Sequence, residues 1–199
     1  MSGINRMMLL YSDAAPAPPG ALYADDFNRA DGPVGGSWSG DPAAYAIVSG
    51  RLTRTNAGTD WLMWNAPLPS PDQFVEADVW LPGSDSYAVI HARADGFGDD
   101  ACYMAFIQPS ATSPTDVTLA KDVEFGFGNV ATFTGVVPAH APPWKLRLEV
   151  QGSTQRVYID GVLAGTTHDT SITAGPYVGF NGSASGDPAF DNFRAGVLP

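Results

Sequence analysis

An acidic pair followed by a tryptophan is the arrangement in this chain that comes nearest to a catalytic site for sugars. Glu76 and Asp78 lie two residues apart and precede Trp80, so a strand over residues 73–81 places all three on one face. A two-step glycosidase needs two carboxyl groups at a defined separation across the glycosidic bond. One strand with a single acidic pair does not supply that set, so we predict that the chain is not an enzyme and has no catalytic residues.

A binding face is the better interpretation of these side chains. In the strands expected over residues 73–81, 86–94 and 101–108, apolar residues alternate with polar and aromatic ones. Aromatic rings offer flat apolar surfaces to sugars, while carboxylate, arginine and histidine groups hydrogen-bond hydroxyls. The alternative is that loops or a neighbouring subunit cover this face and the rings are ordinary packing residues. The predicted ligand-binding residues are Glu76, Asp78, Trp80, Tyr87, His91, Arg93 and Tyr103.

Strands with regular alternation must position these residues, and residues 144–166 show that pattern most clearly. Leu146, Leu148 and Val150 share one face of a strand, and the charged residues between them share the other. An Asp-Gly turn at residues 160–161 then leads from the second strand into a third. Such an antiparallel meander is typical of a β-sandwich.

Further strand candidates follow one another at short intervals, and no segment keeps a helical period. Residues 31–36 are predicted to form a glycine-rich loop that leads to Trp38. The pattern predicts an all-β fold, a two-sheet antiparallel jelly-roll sandwich over residues 21–199 with helix confined to short turns. The remaining candidates cover residues 22–27, 45–48, 51–55, 60–64, 117–121, 130–136, 176–181 and 189–197.

The composition fits one acidic β domain. The 199 residues include 22 Gly and 17 Pro, and the net charge is −11 with only ten Lys and Arg residues. A phosphate backbone requires a basic face, so we expect no nucleic acid partner. Cys102 is the single cysteine and stands in an apolar strand, which predicts a buried thiol and excludes an internal disulfide. The apolar run near the N-terminus is too short for a secretory signal, and we expect no membrane insertion.

Residues 1–20 differ from the rest of the chain and form the first of two predicted units, the second being residues 21–199. An apolar cluster at residues 7–11 precedes a spacer rich in Pro and Ala at residues 14–20. This segment is either a disordered tail or an extended arm whose apolar tip docks on a neighbouring subunit. The second interpretation predicts a homo-oligomer, or a larger assembly, held through the arm.

Several short motifs resemble the concanavalin A-like lectin and glucanase family, which includes the laminin-G-like domains. They are residues 25–35 with Trp38, the hairpin at residues 49–52, the paired segments 144–150 and 157–161, and residues 190–193. The first motif is similar to the branch of this family found in bacteriophage structural proteins. The resemblance spans residues 25–197 and implies a jelly roll whose first and last strands are neighbours.

The resemblance also implies a structural calcium ion where those two strands meet. By position, Asp26 and Asp191 would be its side-chain ligands, and the turn at residues 50–51 would offer a carbonyl. Calcium takes six to eight oxygen ligands, which two carboxylates, carbonyls and water together can supply. The alternative is that the two acids cap turns or pair with nearby arginines.

Three functions follow from these observations. The first is a non-catalytic bacteriophage virion protein on the capsid or tail surface, with a lectin-like domain for attachment, glycan binding or particle decoration. Its partners would be other virion proteins and a host-surface glycan, and the virion assignment rests on resemblance alone. The second is a carbohydrate-binding module of a bacterial extracellular protein. The third is a glycoside hydrolase with a divergent site at Glu76 and Asp78.

Overall fold

The computed structural model describes residues 20–55, 61–82, 86–96, 101–108, 116–124, 126–183 and 188–199. In this part of the chain sixteen strands form two antiparallel sheets, and one short 3-10 turn lies at Pro42–Ala44. The strands are β1 (Tyr23–Asp25), β2 (Gly32–Pro33), β3 (Trp38–Gly40), β4 (Tyr45–Val48), β5 (Arg51–Arg54), β6 (Leu62–Trp64), β7 (Gln73–Trp80), β8 (Ala88–Ala94), β9 (Ala101–Ile107), β10 (Val117–Val123), β11 (Gly128–Phe133), β12 (Trp144–Gln151), β13 (Thr154–Ile159), β14 (Val162–His168), β15 (Tyr177–Gly182) and β16 (Ala189–Val197).

Sheet A contains the first and last strands. Its order is β14-β13-β12-β7-β16-β5-β4-β2, and β1 also pairs with β16. One side of β16 therefore faces β7, and the other faces β5 near Phe190 and β1 near Phe193. The neighbouring first and last strands confirm what the family resemblance implied.

Sheet B has the order β11-β10-β9-β8-β15-β6-β3. The chain crosses from sheet A to sheet B between β7 and β8, and it returns between β11 and β12. These two crossings decide the location of the candidate site, because β7 and β8 are consecutive in sequence but lie in opposite layers.

The core lies between the sheets and follows the alternation. Leu146, Leu148 and Val150 are fully buried inside, where burial of each contributes about 1.5–3 kcal/mol. An aromatic cluster fills one end of the sandwich, where the ring of Trp38 lies 5.2 Å from Phe180 and 4.9 Å from Phe193, centroid to centroid. Both sheets contribute to this cluster, so it holds the two layers together.

The predicted all-β sandwich is confirmed, with differences at individual elements. Residues 31–36, predicted to form a loop, contain the short strand β2, and β3 begins directly after them at Trp38. Buried Trp38 pairs with Trp64 in β6, although glycines interrupt the alternation around it. Strand β11 begins at Gly128, two residues before the predicted segment. Cys102 is buried and free, as its apolar context predicted.

The predicted arm, residues 1–20, lies outside the described residues except for Gly20. The described residues that follow it build the two-layer sandwich, while the division into two units stays a prediction. No helix within the described ranges is long and apolar enough to cross a membrane.

Candidate ligand-binding surfaces

The seven residues predicted to bind a ligand do not share one surface. Strand β7 lies in sheet A, whereas β8 and β9 lie in sheet B. A side chain that points away from the core on β7 therefore points in the opposite direction from one on β8. Alternation predicts which side chains leave the core, but not which side of the sandwich they reach.

On sheet A the acidic pair is engaged in ion pairs on the outer face. Lys145 Nζ lies 2.6 Å from Asp78 Oδ1 and 3.9 Å from Glu76 Oε1. Arg147 Nη1 lies 3.7 Å from Glu76 Oε2, and Asn192 Nδ2 donates to Asp78 Oδ2 at 2.8 Å. The acidic pair thus has structural partners on β12 and β16.

Trp80 lies at the end of β7, on the same face as this pair. The guanidinium of Arg51 stacks over its ring at 4.1 Å from the centroid, so one face of the indole is already covered by a cation–π contact. Trp80 is half-buried in this arrangement. Only its other face remains for a ligand.

Arg93 was predicted to point outwards from sheet B, but its side chain is buried at one end of the sandwich. It has a positive φ of 52°, which interrupts the alternation of β8. Its guanidinium donates to the carbonyls of Pro71 and Ile172 and pairs with Asp72 at 3.1 Å. Arg93 therefore joins two connections between strands.

Tyr103 points into the core, so the prediction that it joins the ligand face is wrong. Its ring packs among the buried residues between the sheets, and its hydroxyl donates to Asp169 Oδ1 at 2.7 Å. Burial and this hydrogen bond raise the pKa of Tyr103. On β9 the side chains that point outwards are instead those of Cys102, Met104 and Phe106.

His91 does lie on the outer face of sheet B, but it is fully buried there. Its ring centroid lies 4.1 Å from that of Trp61, and Nδ1 lies 3.6 Å from Cys102 Sγ. Burial lowers the pKa of His91 to about 3, so the imidazole is neutral at physiological pH. Its role in the described structure is packing beneath the surface of this face.

Tyr87, Phe106 and Phe127 form a continuous aromatic surface on sheet B, called here the aromatic patch. The ring centroids of Tyr87 and Phe106 are 5.9 Å apart, and those of Phe106 and Phe127 are 5.7 Å apart. Phe127 is 59% exposed, while the other two rings are half-buried. Sequence reasoning found Tyr87 only. Two features of the sequence could have indicated the other two rings. Phe106 stands two residues after Met104 and therefore on the same face of the strand, and Phe127 stands between two glycines at residues 126 and 128.

The carboxylates of the two predicted calcium ligands, Asp26 and Asp191, interact electrostatically. Burial raises the pKa of Asp191, and the carboxylates of Asp78 and Asp26 raise it further. Oxygen atoms of both predicted ligands accept backbone N–H groups, with Asn192 N donating to Asp191 and Asn28 N donating to Asp26. No group of three or more His, Cys, Asp or Glu residues within the described ranges is placed to hold a metal. Carbonyls and water would therefore supply most ligands, and calcium stays a prediction.

The chain matches no protein-family model and no curated protein, but it is similar to many solved structures. One is the carbohydrate binding module CBM66 from Bacillus subtilis, with a TM-score of 0.66 and 16% identity over 80% of this chain and 95% of that one. Another, from Bacillus subtilis, is a protein of unknown function with a galectin-like fold, with a TM-score of 0.62 and 15% identity over 89% and 96%.

An enzyme shares the same architecture. A non-specific endo-β-1,3(4)-glucanase of family GH16 matches with a TM-score of 0.66 and 14% identity, over 91% of this chain and 93% of that one. At such identities the likeness shows the fold alone, and the bacteriophage branch stays a prediction. The chain has a concanavalin A-like jelly roll, the lectin and glucanase fold that its sequence motifs resemble.

Proposed function

We propose that this chain is a non-catalytic glycan-binding domain and that the aromatic patch on sheet B holds the sugar. The observation that carries the proposal is the exposure of Phe127, which is 59% exposed beside two half-buried aromatic rings. A large apolar ring left in water at the end of an aromatic row is a surface to which the C–H face of a sugar binds. The similarity to a carbohydrate binding module supports the same choice.

The expected affinity of one such patch is modest. Burying a phenylalanine side chain completely is worth about 1.5–3 kcal/mol, and a sugar would cover only its exposed part. Several copies on one particle or one cell surface would raise the overall affinity by avidity. A domain of this kind therefore suits display in many copies.

We propose that the chain is not catalytic because its acidic side chains are few on each strand and have ion-pair partners. In the described strands, β7 is the only one with two acidic side chains, and Lys145 contacts both Glu76 and Asp78. On β9 the outward-facing positions are apolar, so the aromatic patch has no acid pair on that strand. A sugar bound at the patch would meet rings rather than a pair of carboxyl groups.

Hydrolysis of a glycan is a second candidate, and one observation favours it. Asp191 lies opposite Asp78 in the β16–β7 register, and burial together with neighbouring carboxylates raises its pKa. A carboxyl group whose pKa is raised beside another carboxylate is the kind of group that serves a glycosidase as its general acid. Incubation with β-glucans and bacterial surface polysaccharides tests this candidate function. If the chain is a hydrolase, the wild type releases reducing ends and Asp191→Asn does not.

The biological setting is proposed from the sequence motifs. We place the domain on the surface of a bacteriophage capsid or tail, where it would contact other virion proteins and a host-surface glycan. A carbohydrate-binding module of a bacterial extracellular protein is the alternative. Immunogold labelling of purified particles separates the two settings, since labelled virions are expected only in the first.

A glycan array followed by calorimetry tests the binding site itself. We expect Phe127→Ala to weaken binding roughly tenfold, which corresponds to about 1.4 kcal/mol. The matched control is Val48→Ala, which removes an exposed apolar side chain from sheet A and should leave affinity unchanged. If no glycan binds the wild-type chain, the proposed glycan-binding function is wrong. If both variants bind as the wild type does, the site lies elsewhere.

A further inference from the structure

Two threonine side chains adjoin the aromatic patch on the outer face of sheet B. In the strand registers, Thr118 of β10 lies opposite Phe106 of β9 and also opposite Thr132 of β11. Residues that face each other in an antiparallel pair share one side of the sheet, so both threonines project to the same side as the Phe106 ring. Thr132 is exposed and Thr118 is half-buried. The outer face therefore continues from aromatic rings to hydroxyl groups.

The two threonine hydroxyls contact each other. Oγ1 of Thr118 lies 3.3 Å from Oγ1 of Thr132, and either atom can be the donor. When one hydroxyl donates to the other, the accepting hydroxyl keeps its own hydrogen and a lone pair for a third partner. Side chains opposite each other in a sheet are about 4.5–5.5 Å apart at Cβ, which is close to the width of a sugar ring. A sugar stacked on Phe106 thus brings a hydroxyl of its rim to this threonine pair.

Acidic side chains flank the patch. Asp122 lies opposite Cys102 in the register of β9 and β10, so it points to the outer side of sheet B as Cys102 does. Glu124 is exposed and precedes Phe127 by three residues, so the Cα atoms of the two are at most about 11 Å apart. A ligand that covers the rings of the patch therefore lies in a negative potential.

Basic side chains do not offset these acids. Residues 101–133 contain one Lys and no Arg, and this Lys121 donates through Nζ to Asp169 and Ser171 at the boundary of the core. On β8, Arg93 is buried at the end of the sandwich, where it pairs with Asp72. The net charge of the whole chain is −11. An anionic sugar at the patch would meet like charges without a cation to bind, whereas an uncharged sugar would not.

We propose that the aromatic patch selects uncharged glycans and that Thr118 and Thr132 hydrogen-bond a hydroxyl of the sugar stacked on Phe106. This inference rests on the proposed glycan-binding function and adds the class of ligand to it. The rings supply contact area that many sugars can use, and the threonine pair fixes the orientation of the one that binds. The acidic side chains act against sugars that carry carboxylate, sulfate or phosphate groups, since specificity requires repulsion of the wrong ligand as well as attraction of the right one.

A glycan array that carries uncharged oligosaccharides beside their uronic acid, sialylated and phosphorylated counterparts tests the ligand class. We expect each acidic glycan to bind at least about tenfold more weakly than its uncharged counterpart at about 0.01 M ionic strength. The difference should narrow at about 1 M, where the Debye length falls to about 3 Å. Acidic glycans that bind as tightly as their uncharged counterparts overturn this inference but leave glycan binding intact. An array on which nothing binds overturns the proposed function itself.

Calorimetry with the uncharged oligosaccharide that binds best on this array tests the threonine pair. Thr118→Val with Thr132→Val keeps the shape of both side chains and removes their hydroxyls, so we expect the double variant to bind roughly tenfold more weakly. The matched control is Thr166→Val, which changes an exposed threonine on β14 of sheet A and should leave the affinity unchanged. If the double variant binds as the wild type does while Phe127→Ala binds more weakly, the role of the threonines is overturned and the proposed function stands.

A pair of charge variants tests the role of the flanking acids. Glu124→Gln and Thr166→Lys each raise the net charge by one, but only the first changes a charge beside the patch. At about 0.15 M ionic strength the Debye length is about 8 Å, and sheet A lies about 10 Å behind sheet B. We therefore expect Glu124→Gln to strengthen the binding of acidic glycans about twofold relative to uncharged ones, and Thr166→Lys to leave that ratio unchanged. Equal effects of the two variants would show that the charge of the whole chain, and not the flanking acids, sets the preference.

Discussion

The carboxylate of Asp169 ties the connection between β14 and β15 to sheet B, and Asp169→Asn is the change that tests this role. Tyr103 OH donates to Asp169 Oδ1 at 2.7 Å, and Lys121 Nζ donates to Oδ2 at 2.6 Å. The backbone N–H of Ser171 also donates to Oδ1, at 2.9 Å. Tyr103 OH in turn accepts from Ile172 N at 3.3 Å. One negative charge therefore organises three donors at the edge of the core.

These contacts give the replacement a defined pH dependence. Burial alone would raise the pKa of Asp169, but hydrogen bonds from Lys121, Tyr103 and Ser171 outweigh it and lower that pKa. A lowered pKa means that the carboxylate stabilises the fold above the unfolded-state value of about 3.9. This contribution is lost as the pH falls through the folded-state pKa. The cost of Asp169→Asn should thus be complete at pH 7 and smaller at pH 3.

The size of the effect follows from the exposure of the partners. A hydrogen bond to a charged group contributes about 1.5–3 kcal/mol, and Tyr103 is buried. The Lys121 side chain is 27% exposed, so solvent screens its ion pair and reduces its share. Asparagine keeps an acceptor for the tyrosine but loses the charge. We expect Asp169→Asn to lower the free energy of unfolding by about 2 kcal/mol at pH 7.

Urea denaturation followed by tryptophan fluorescence, at pH 7 and pH 3, measures this difference. The matched control is Asp31→Asn, since within the described residues the exposed Asp31 accepts the N–H of Ser49, which an asparagine oxygen can accept as well. The free energy of unfolding of that control should stay within about 0.5 kcal/mol of the wild-type value. An equal cost of Asp169→Asn at both pH values would refute the electrostatic reasoning. A cost below about 0.5 kcal/mol would refute the structural role.

Two further predictions concern calcium and a surface histidine. Added calcium should raise the melting temperature of the metal-stripped wild type but not that of Asp191→Ala, because a ligand bound to the folded state stabilises it. A chelator added to the metal-stripped protein should leave the melting temperature unchanged. If calcium does not raise the melting temperature of the wild type, the predicted calcium site is wrong. The backbone carbonyl of Ala141 and then the carboxylate of Asp160 raise the pKa of His140. An NMR titration should show this rise and its partial loss in Asp160→Asn. The pair's contribution to stability is present below about pH 6.5 and lost as the pH rises through the folded-state pKa.

The strands could be predicted from the sequence because alternation records burial directly. Leu146, Leu148 and Val150 are fully buried and stand at the positions that the period of two assigns to the core. The sequence could not predict that β7 and β8 belong to different sheets, since a crossing between layers leaves the alternation on each strand unchanged. A seven-residue face was therefore inferred from residues that lie on opposite sides of the sandwich.

Three residues show where the sequence pattern failed to locate the site. Tyr103 has a polar hydroxyl and was placed outside, but its ring fills the core while the hydroxyl reaches Asp169 at the boundary. Arg93 has a positive φ, and no residue type in its neighbourhood signals that change of direction. Phe127 was missed for the opposite reason, because it stands in a connection where no alternation exists.

The two outer faces of the sandwich carry different kinds of side chain. On sheet A, acidic and basic side chains pair with each other, and Arg147 and Glu149 are buried there. On sheet B, apolar and aromatic residues point outwards, and Phe127 stays exposed. The charged groups of sheet A have partners within the described residues, so the exposed ring on sheet B is the surface that we propose for glycan binding.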